Sequence, residues 1–399
     1  MKNGWPVKQV AEIAQRSLGK MLDKAKNKGT PRPYLRNVNV RWFSFDLSDL
    51  LEMRFLDEES GKFTAVKGDV LICEGGYPGR AAIWEEDYPI HFQKAIHRVR
   101  FHEPDRNKWF LYYLHYQEIT GQLRQHYTGT GIQHFTGEAL ARLRIPLPPL
   151  PEQRRIVGIL DEAFAGIATA KANAEKNLQN ARGVFESYLQ DVFTQRGEGW
   201  VDTTLSEMCR FKNGDRGKNY PNREEYVDSG IPWINTGHIQ ANGTLSQSEM
   251  NYITRKKYDS LRSGKIQAGD LVYCLRGATL GKTALVEPLT IGAVASSLVI
   301  IRPSNKLKVR FLYYFLISSI GQSHITTYRN GAAQPNLGAK SVAKYPISFP
   351  TLAEQEDIVK GISGLAAETQ RLESIYQQKL AALDELKKSL LHRAFSGEL

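Results

Sequence analysis

The chain has 399 residues, 41% of them hydrophobic, which suits two or three domains with ordinary cores. Its net charge of +11 favours a polyanionic partner. No apolar run approaches the ~18 residues of a membrane span, and three cysteines without a CxxC pair argue against a disulfide framework or a zinc site.

Residues 1–151 carry a net charge of +5. Short β-branched or alternating runs at 33–45, 66–73, 81–84 and 96–101 predict strands separated by glycine turns. The aromatic run starting at Phe110 predicts a helix packed on those strands, with its tyrosines in the core. Residues 152–196 are net neutral and contain no proline after the Pro-rich run that ends at Pro151. Leu160, Ile167, Ala174, Ala181 and Tyr188 recur every seven residues, as do Phe164, Leu178, Phe185 and Val192 with Lys171 as the exception. These are the a and d lines of a heptad seam. Gly197 and Gly199 close this helix.

Residues 197–352 carry +8, and runs at 231–240, 269–275, 283–287 and 293–302 repeat the strand texture of the first domain. Residues 353–399 are net −2 and again helical, with Thr369, Tyr376, Leu383 and Leu390 on one line and Leu365, Leu372 and Leu386 on the other. The excess positive charge therefore lies in the two globular domains. Each helix of ~44 residues would be roughly 66 Å long, and the two are expected to pair antiparallel. Phe164, Phe185 and Tyr376 are expected to extend beyond that seam into a partner interface.

The chain also contains itself twice. Phe110-Leu-Tyr-Tyr-Leu, Tyr127 to Gln133 and the run ending Leu-Pro-Glu-Gln153 return as Phe311-Leu-Tyr-Tyr-Phe, Tyr328 to Gln334 and Leu-Ala-Glu-Gln355, about 200 residues later. Gly68-Asp-Val-Leu-Ile-Cys73 matches Gly269-Asp-Leu-Val-Tyr-Cys274, and Phe193 matches Phe395. Solenoid units run ~20 to 50 residues, so this period marks a duplicated domain with a duplicated connector. The expected fold is α+β: two globular domains, two long antiparallel coiled-coil helices and an internal pseudo-two-fold repeat.

Catalytic motifs fail on spacing. Gly277-Ala-Thr-Leu-Gly281-Lys282-Thr283 has three residues between its glycines where a phosphate loop needs four. Gly129-Thr-Gly131 lacks the rest of a dinucleotide fingerprint. There is no Asn/Asp-Pro-Pro-Tyr segment to hold a flipped adenine, and Pro104-Asp105 has no acid-x-Lys partner. The residues predict no catalytic, cofactor-binding or metal-binding site in this chain. What remains is recognition chemistry. Tyr34, Arg36, Asn37, Asn39 and Arg41 are read as one extended run, with Trp233, Asn235, Thr236 and His238 as its mate. Tyr77 and Arg80 lie on one glycine turn; Arg276, Thr279 and Lys282 lie on the other. Gln133 and His134, and Gln334 and Asn336, follow glycine-bearing loops. Arg suits guanine, Asn or Gln suits adenine, and Lys, Ser/Thr and backbone N–H groups suit phosphates.

The chain resembles the specificity (S) subunits of type I restriction–modification systems. The resemblance rests on Ile145-Pro-Leu-Pro-Pro-Leu-Pro-Glu-Gln153 and Phe349-Pro-Thr-Leu-Ala-Glu-Gln355, each running into a long helix, and on the C-terminal Ala394-Phe-Ser-Gly-Glu-Leu399. It implies four segments: target-recognition domains at 1–151 and 197–352, and spacer helices at 152–196 and 353–399. It implies that each domain reads one half of a bipartite double-stranded DNA site. Two adenine methyltransferase (M) subunits and motor-nuclease (R) subunits are the implied partners, with S-adenosylmethionine, ATP and magnesium held by those partners. A related type IIB or BREX-like methylation system is the alternative, and an orphan nuclease or NTPase a more distant one. With no membrane segment and no signal-peptide pattern, a cytoplasmic protein is expected.

Overall fold

The computed structural model describes residues 4–23, 25–329 and 336–399. Contacts divide the chain into two compact units, Met1–Glu175 with Gln377–Leu399, and Lys176–Tyr376. No helix among the described residues is long and apolar enough to cross a membrane.

In the first unit the strands of the two larger sheets are β1 (Ala14–Leu18), β2 (Thr30–Leu35), β3 (Leu51–Phe55), β4 (Thr64–Ala65), β5 (Val70–Cys73), β6 (Ala81–Ile83), β7 (Ile90–Phe92) and β8 (Ile96–Phe101). They form two four-stranded sheets, ordered β1-β8-β5-β6 and β3-β2-β7-β4. Helix α1 (Arg106–Ile119) covers the first sheet, with every residue from Trp109 to His115 buried. The long helix α2 spans Leu150–Thr194.

The second unit repeats the plan. Strands β9 (Cys209–Asn213), β10 (Tyr226–Val227), β11 (Ile231–Ile234), β12 (Asn251–Ile253), β13 (Leu271–Cys274), β14 (Thr283–Leu285), β15 (Ala293–Val294) and β16 (Leu298–Pro303) precede helix α3 (Val309–Ile317) and the long helix α4 (Leu352–Ser396). The sheets are ordered β9-β16-β13-β14 and β10-β12-β11-β15. In both units a buried aspartate at the start of the central strand holds an arginine through two hydrogen bonds. Asp69 accepts from Arg100 at 2.7 and 2.6 Å, and Asp270 from Arg302 at 2.7 and 2.8 Å.

The duplicated Glu-Gln signature has a structural cause. Gln153 and Gln355 are buried, and each donates its amide to the proline carbonyl five residues back, at Pro148 (2.7 Å) and Pro350 (2.9 Å). Gln355 also accepts the backbone N–H of Lys308 at 2.8 Å. This buried amide bond recurs at the start of both long helices and ties each one to the proline-rich run before it.

Each unit combines one globular domain with a part of both long helices, because the helices' apolar stripe is shared with the domain cores. Ile156, Val157, Leu160, Leu391, Ala394 and Phe395 join the first unit's core. Phe395 packs 4.8 Å from Trp109 and 5.2 Å from Tyr113. Phe193 takes the corresponding place in the second unit, 5.3 Å from Phe311. Within the first unit Lys171 pairs with Asp384 and Arg155 reaches the backbone carbonyl of Leu399; within the second, Arg182 pairs with Glu373.

Two heptad positions differ from expectation. Tyr188 is 40% exposed and its neighbour Leu189 is buried; Leu386 is 47% exposed and Lys387 takes the half-buried place. The cause is the 3.6-residue turn, which drifts ~20° per heptad against a strict seven-residue repeat. Toward the end of each helix the buried line has moved one residue onward.

Candidate nucleic-acid interface

At one end of the β1-β8-β5-β6 sheet, and of the β9-β16-β13-β14 sheet, the same loops meet. In the first unit β5 ends at Cys73 opposite Ile96 at the start of β8, and the turn 74–80 returns into β6. The turn is closed by Cys73 N–H to Arg80 carbonyl (2.8 Å) and Gly79 N–H to Cys73 carbonyl (2.9 Å). In the second unit Cys274 N–H reaches Lys282 at 2.8 Å and Gly281 N–H reaches Cys274 at 3.0 Å. Glycine is required at both bends: Gly79 and Gly281 have φ of 83° and 85°. A distal segment then joins each turn. Gly75 bridges His134 and Arg276 bridges Asn336, while Phe135 N–H donates to Glu74 (2.7 Å) and Leu337 N–H to Leu275 (2.9 Å). Sequence-distant residues of the two glycine turns and the later loops thus share one surface in each unit.

On the first surface Tyr77 is exposed and Arg80 lies over its ring at 3.8 Å, its guanidinium also donating to the Asn37 carbonyl at 2.9 Å. Gln133 and His134 are exposed beside them. Asn37 donates its amide to the Gly75 carbonyl at 3.0 Å, so it braces the turn. On the second surface Arg276, Lys282 and Asn336 are exposed, and half-buried Thr279 meets the Cys274 thiol at 3.3 Å. Gln334 lies outside the described residues.

The expected extended run from Tyr34 to Arg41 is not extended. Strand β2 stops at Leu35, and Asn37–Asn39 form a 3-10 turn, as do Thr236–His238. The third residue of each turn caps it. Asn39 accepts the Arg36 N–H at 2.9 Å and donates to the carbonyls of Asp46 and Asp49; His238 accepts the Asn235 N–H at 3.1 Å. Both side chains are buried, and burial holds the His238 imidazole below its ordinary range, hence neutral. Tyr34 and Trp233 are 2% and 1% exposed, because β2 and β11 are interior strands of the β3-β2-β7-β4 and β10-β12-β11-β15 sheets. These four residues shape the fold and present nothing to a ligand. Asn235 accepts from Gly237 N–H at 2.8 Å and stays half-buried with Thr236. Arg36 and Arg41 are ion-paired to Asp49 (2.6 Å) and Asp46 (3.5 Å).

A third loop lies at the same end of the β9-β16-β13-β14 sheet. Strand β9 ends opposite Val299, and the following Gly214 would drive a Cβ to 2.3 Å from the Ala295 carbonyl oxygen. Asp215 is buried and accepts the N–H groups of Gly217 and Arg262, leaving exposed Arg216 and Lys218 on the rim. The available signal was Gly214-Asp-Arg-Gly-Lys218, two cations on a glycine turn. Arg216, Arg262, Arg276 and Lys282 form no ion pair among the described residues, unlike Arg36 and Arg41 of the first unit.

Among the prospective partner-contact residues, Phe164 is half-buried in the first unit, 5.3 Å from Tyr112, with the Lys387 ammonium 4.7 Å over its ring. Phe185 packs against the second core, and Tyr376 is half-buried on α4. Among the described residues no group of acidic, cysteine and histidine side chains has the arrangement of a metal site.

Comparison with known proteins gives one answer. The family described as type I restriction modification DNA specificity domain matches the chain twice, over residues 2–179 and 197–381. The EcoBI specificity subunit of Escherichia coli is 24% identical over 347 residues, covering 80% of this chain and 71% of that protein. The EcoKI specificity subunit of Escherichia coli K12 is 22% identical over 396 residues, covering 92% and 82%. A solved chain from a type I restriction–modification system superposes with a TM-score of 0.80 at 19% identity, covering 100% of this chain and 99% of that one. The HsdS subunit of Thermoanaerobacter tengcongensis gives 0.61, also at 19%, covering 100% and 98%.

Proposed function

The chain belongs to the type I restriction modification DNA specificity family, and from that premise we propose how it reads DNA. It is the DNA-recognition subunit of a type I system and is non-catalytic. Each recognition domain reads one half of a bipartite double-stranded site with the loop cluster at the end of its central sheet. The two long helices pair as an antiparallel coiled coil that sets the distance between half-sites. They dock two adenine methyltransferase subunits, and motor-nuclease subunits join that core. S-adenosylmethionine, ATP and magnesium belong to those partners. Three free, buried cysteines are the state that a reducing cytoplasm maintains.

One observation carries this reading. The same hydrogen bonds build the loop cluster twice, yet the side chains on it differ: Glu74, Tyr77 and Arg80 against Leu275, Arg276 and Lys282. A shared scaffold with divergent tips suits two readers of different sequences. The test is to express the chain with its cognate methyltransferase in a host lacking adenine methylation and map methylated adenines. The expected result is one motif with two specified parts and a gap of fixed length. A motif with one part, or no sequence preference, would refute the bipartite reading.

A further inference from the structure

Glu74 sits at the centre of the first domain's loop cluster, and its main chain is tied on both sides. Its N–H donates to the Ala95 carbonyl at 2.8 Å and its carbonyl accepts from Phe135 at 2.7 Å. Its carboxylate, by contrast, makes no hydrogen bond or ion pair among the described residues. Burial raises its proton affinity, an effect opposed by the neighbouring His134 and Lys94. The carboxylate is not needed to build the loop, because Leu275 occupies the equivalent place with the same backbone bonds, to Ser297 (2.9 Å) and from Leu337 (2.9 Å). Solvent reaches the half-buried carboxylate, but contact with a polyanion would strip that water and bring like charge against it. A donor on the ligand offsets both terms. In the major groove cytosine offers its N4 amine without an acceptor on the same base, whereas adenine sets N7 beside its amine and would repel a carboxylate.

The geometry points to Glu74 as a base-reading residue that accepts a hydrogen bond from a cytosine N4 amine in the half-site of the first domain. This rests on the DNA-reading role proposed above.

The test uses the complex of the full chain with its methyltransferase. In the wild-type complex, each cytosine of the mapped site is replaced in turn by 2-pyrimidinone, which lacks the amine. One such change in one half-site is expected to weaken binding on the order of tenfold or more. In the Glu74→Leu complex the same replacement is expected to have no further effect, and methylation to relax at that base pair alone, whereas Glu74→Gln, whose amide oxygen still accepts, is expected to keep the dependence on that amine. The inference is overturned if the half-site contains no cytosine, if no single amine matters, or if the Glu74→Leu motif is unchanged. Relaxation spread over the whole half-site would also overturn it, marking a fold defect. The pyrimidinone series on the wild-type complex decides the matter even if a variant misfolds. Absence of any sequence-specific methylation by the wild-type complex would fault the DNA-reading role itself, not Glu74.

Discussion

His97 and His115 show how one sequence letter takes its meaning from packing. His97 is buried and bonded to the Phe135 carbonyl at 3.1 Å; His115 is wedged 4.7 Å from Trp42 and 5.0 Å from Phe43, with its Nδ1 unpartnered. Burial holds His97 down at about 4 and His115 at about 3, the latter with a further push from Lys387. Both folded values lie below the unfolded one of ~6.5. Their stabilising contribution is therefore complete above ~6.5 and is lost as pH falls toward the folded values. Acidification from pH 6.5 to 5 is expected to cost about 2 kcal/mol for each histidine. Melting curves across this range should show a shallower fall for His115→Leu than for wild type. Parallel curves would mean that His115 is accessible to protons in the folded chain.

Among the elements, the long helices carry the most legible pattern, and their aromatic residues also meet the unit's own core. Phe164 satisfies a heptad rule, but its ring also meets Tyr112, Phe43 and the Lys387 ammonium. Phe43 reaches that contact with a φ of 65°, a conformation that costs a non-glycine residue about 1–3 kcal/mol. The contact is thus part of the first unit's own packing. Phe164→Ala is expected to destabilise the isolated chain by about 2 kcal/mol, less than a fully buried phenylalanine because the ring is half exposed. The measurement is chemical denaturation of the chain without any partner. Unchanged stability combined with weakened assembly would place the ring in the partner interface instead.

At the scale of the whole molecule the proposal makes the long helices the determinant of spacing. Both pass from one compact unit into the other, at Glu175/Lys176 and Tyr376/Gln377. Four residues inserted into each helix at these points add about 6 Å of helix, against ~3.4 Å per base pair of DNA. Paired insertions are expected to lengthen the gap between half-sites by one or two base pairs and to leave the half-site sequences unchanged. Methylation mapping of the doubly inserted, folded variant measures both. An unchanged gap would show that spacing is set elsewhere, and altered half-sites that the recognition surface is misplaced.

The helices, the duplication and the family were legible in the sequence because each rests on local, periodic information. A seven-residue apolar repeat needs no knowledge of its surroundings, and a 200-residue period is visible without coordinates. The glycine turns were legible too, since Gly79 and Gly281 stand where a left-handed bend excludes other residues. The surface itself was not. Tyr34, Asn39, Trp233 and His238 have the chemistry of base readers, and strand pairing and turn capping bury all four. The place of Glu74 was not legible either, since it is the bridge between Gly75 and His134 that sets it within the loop cluster. Whether a polar side chain meets water, a ligand or its own backbone depends on contacts between residues far apart in the chain, and only the tertiary structure decides those.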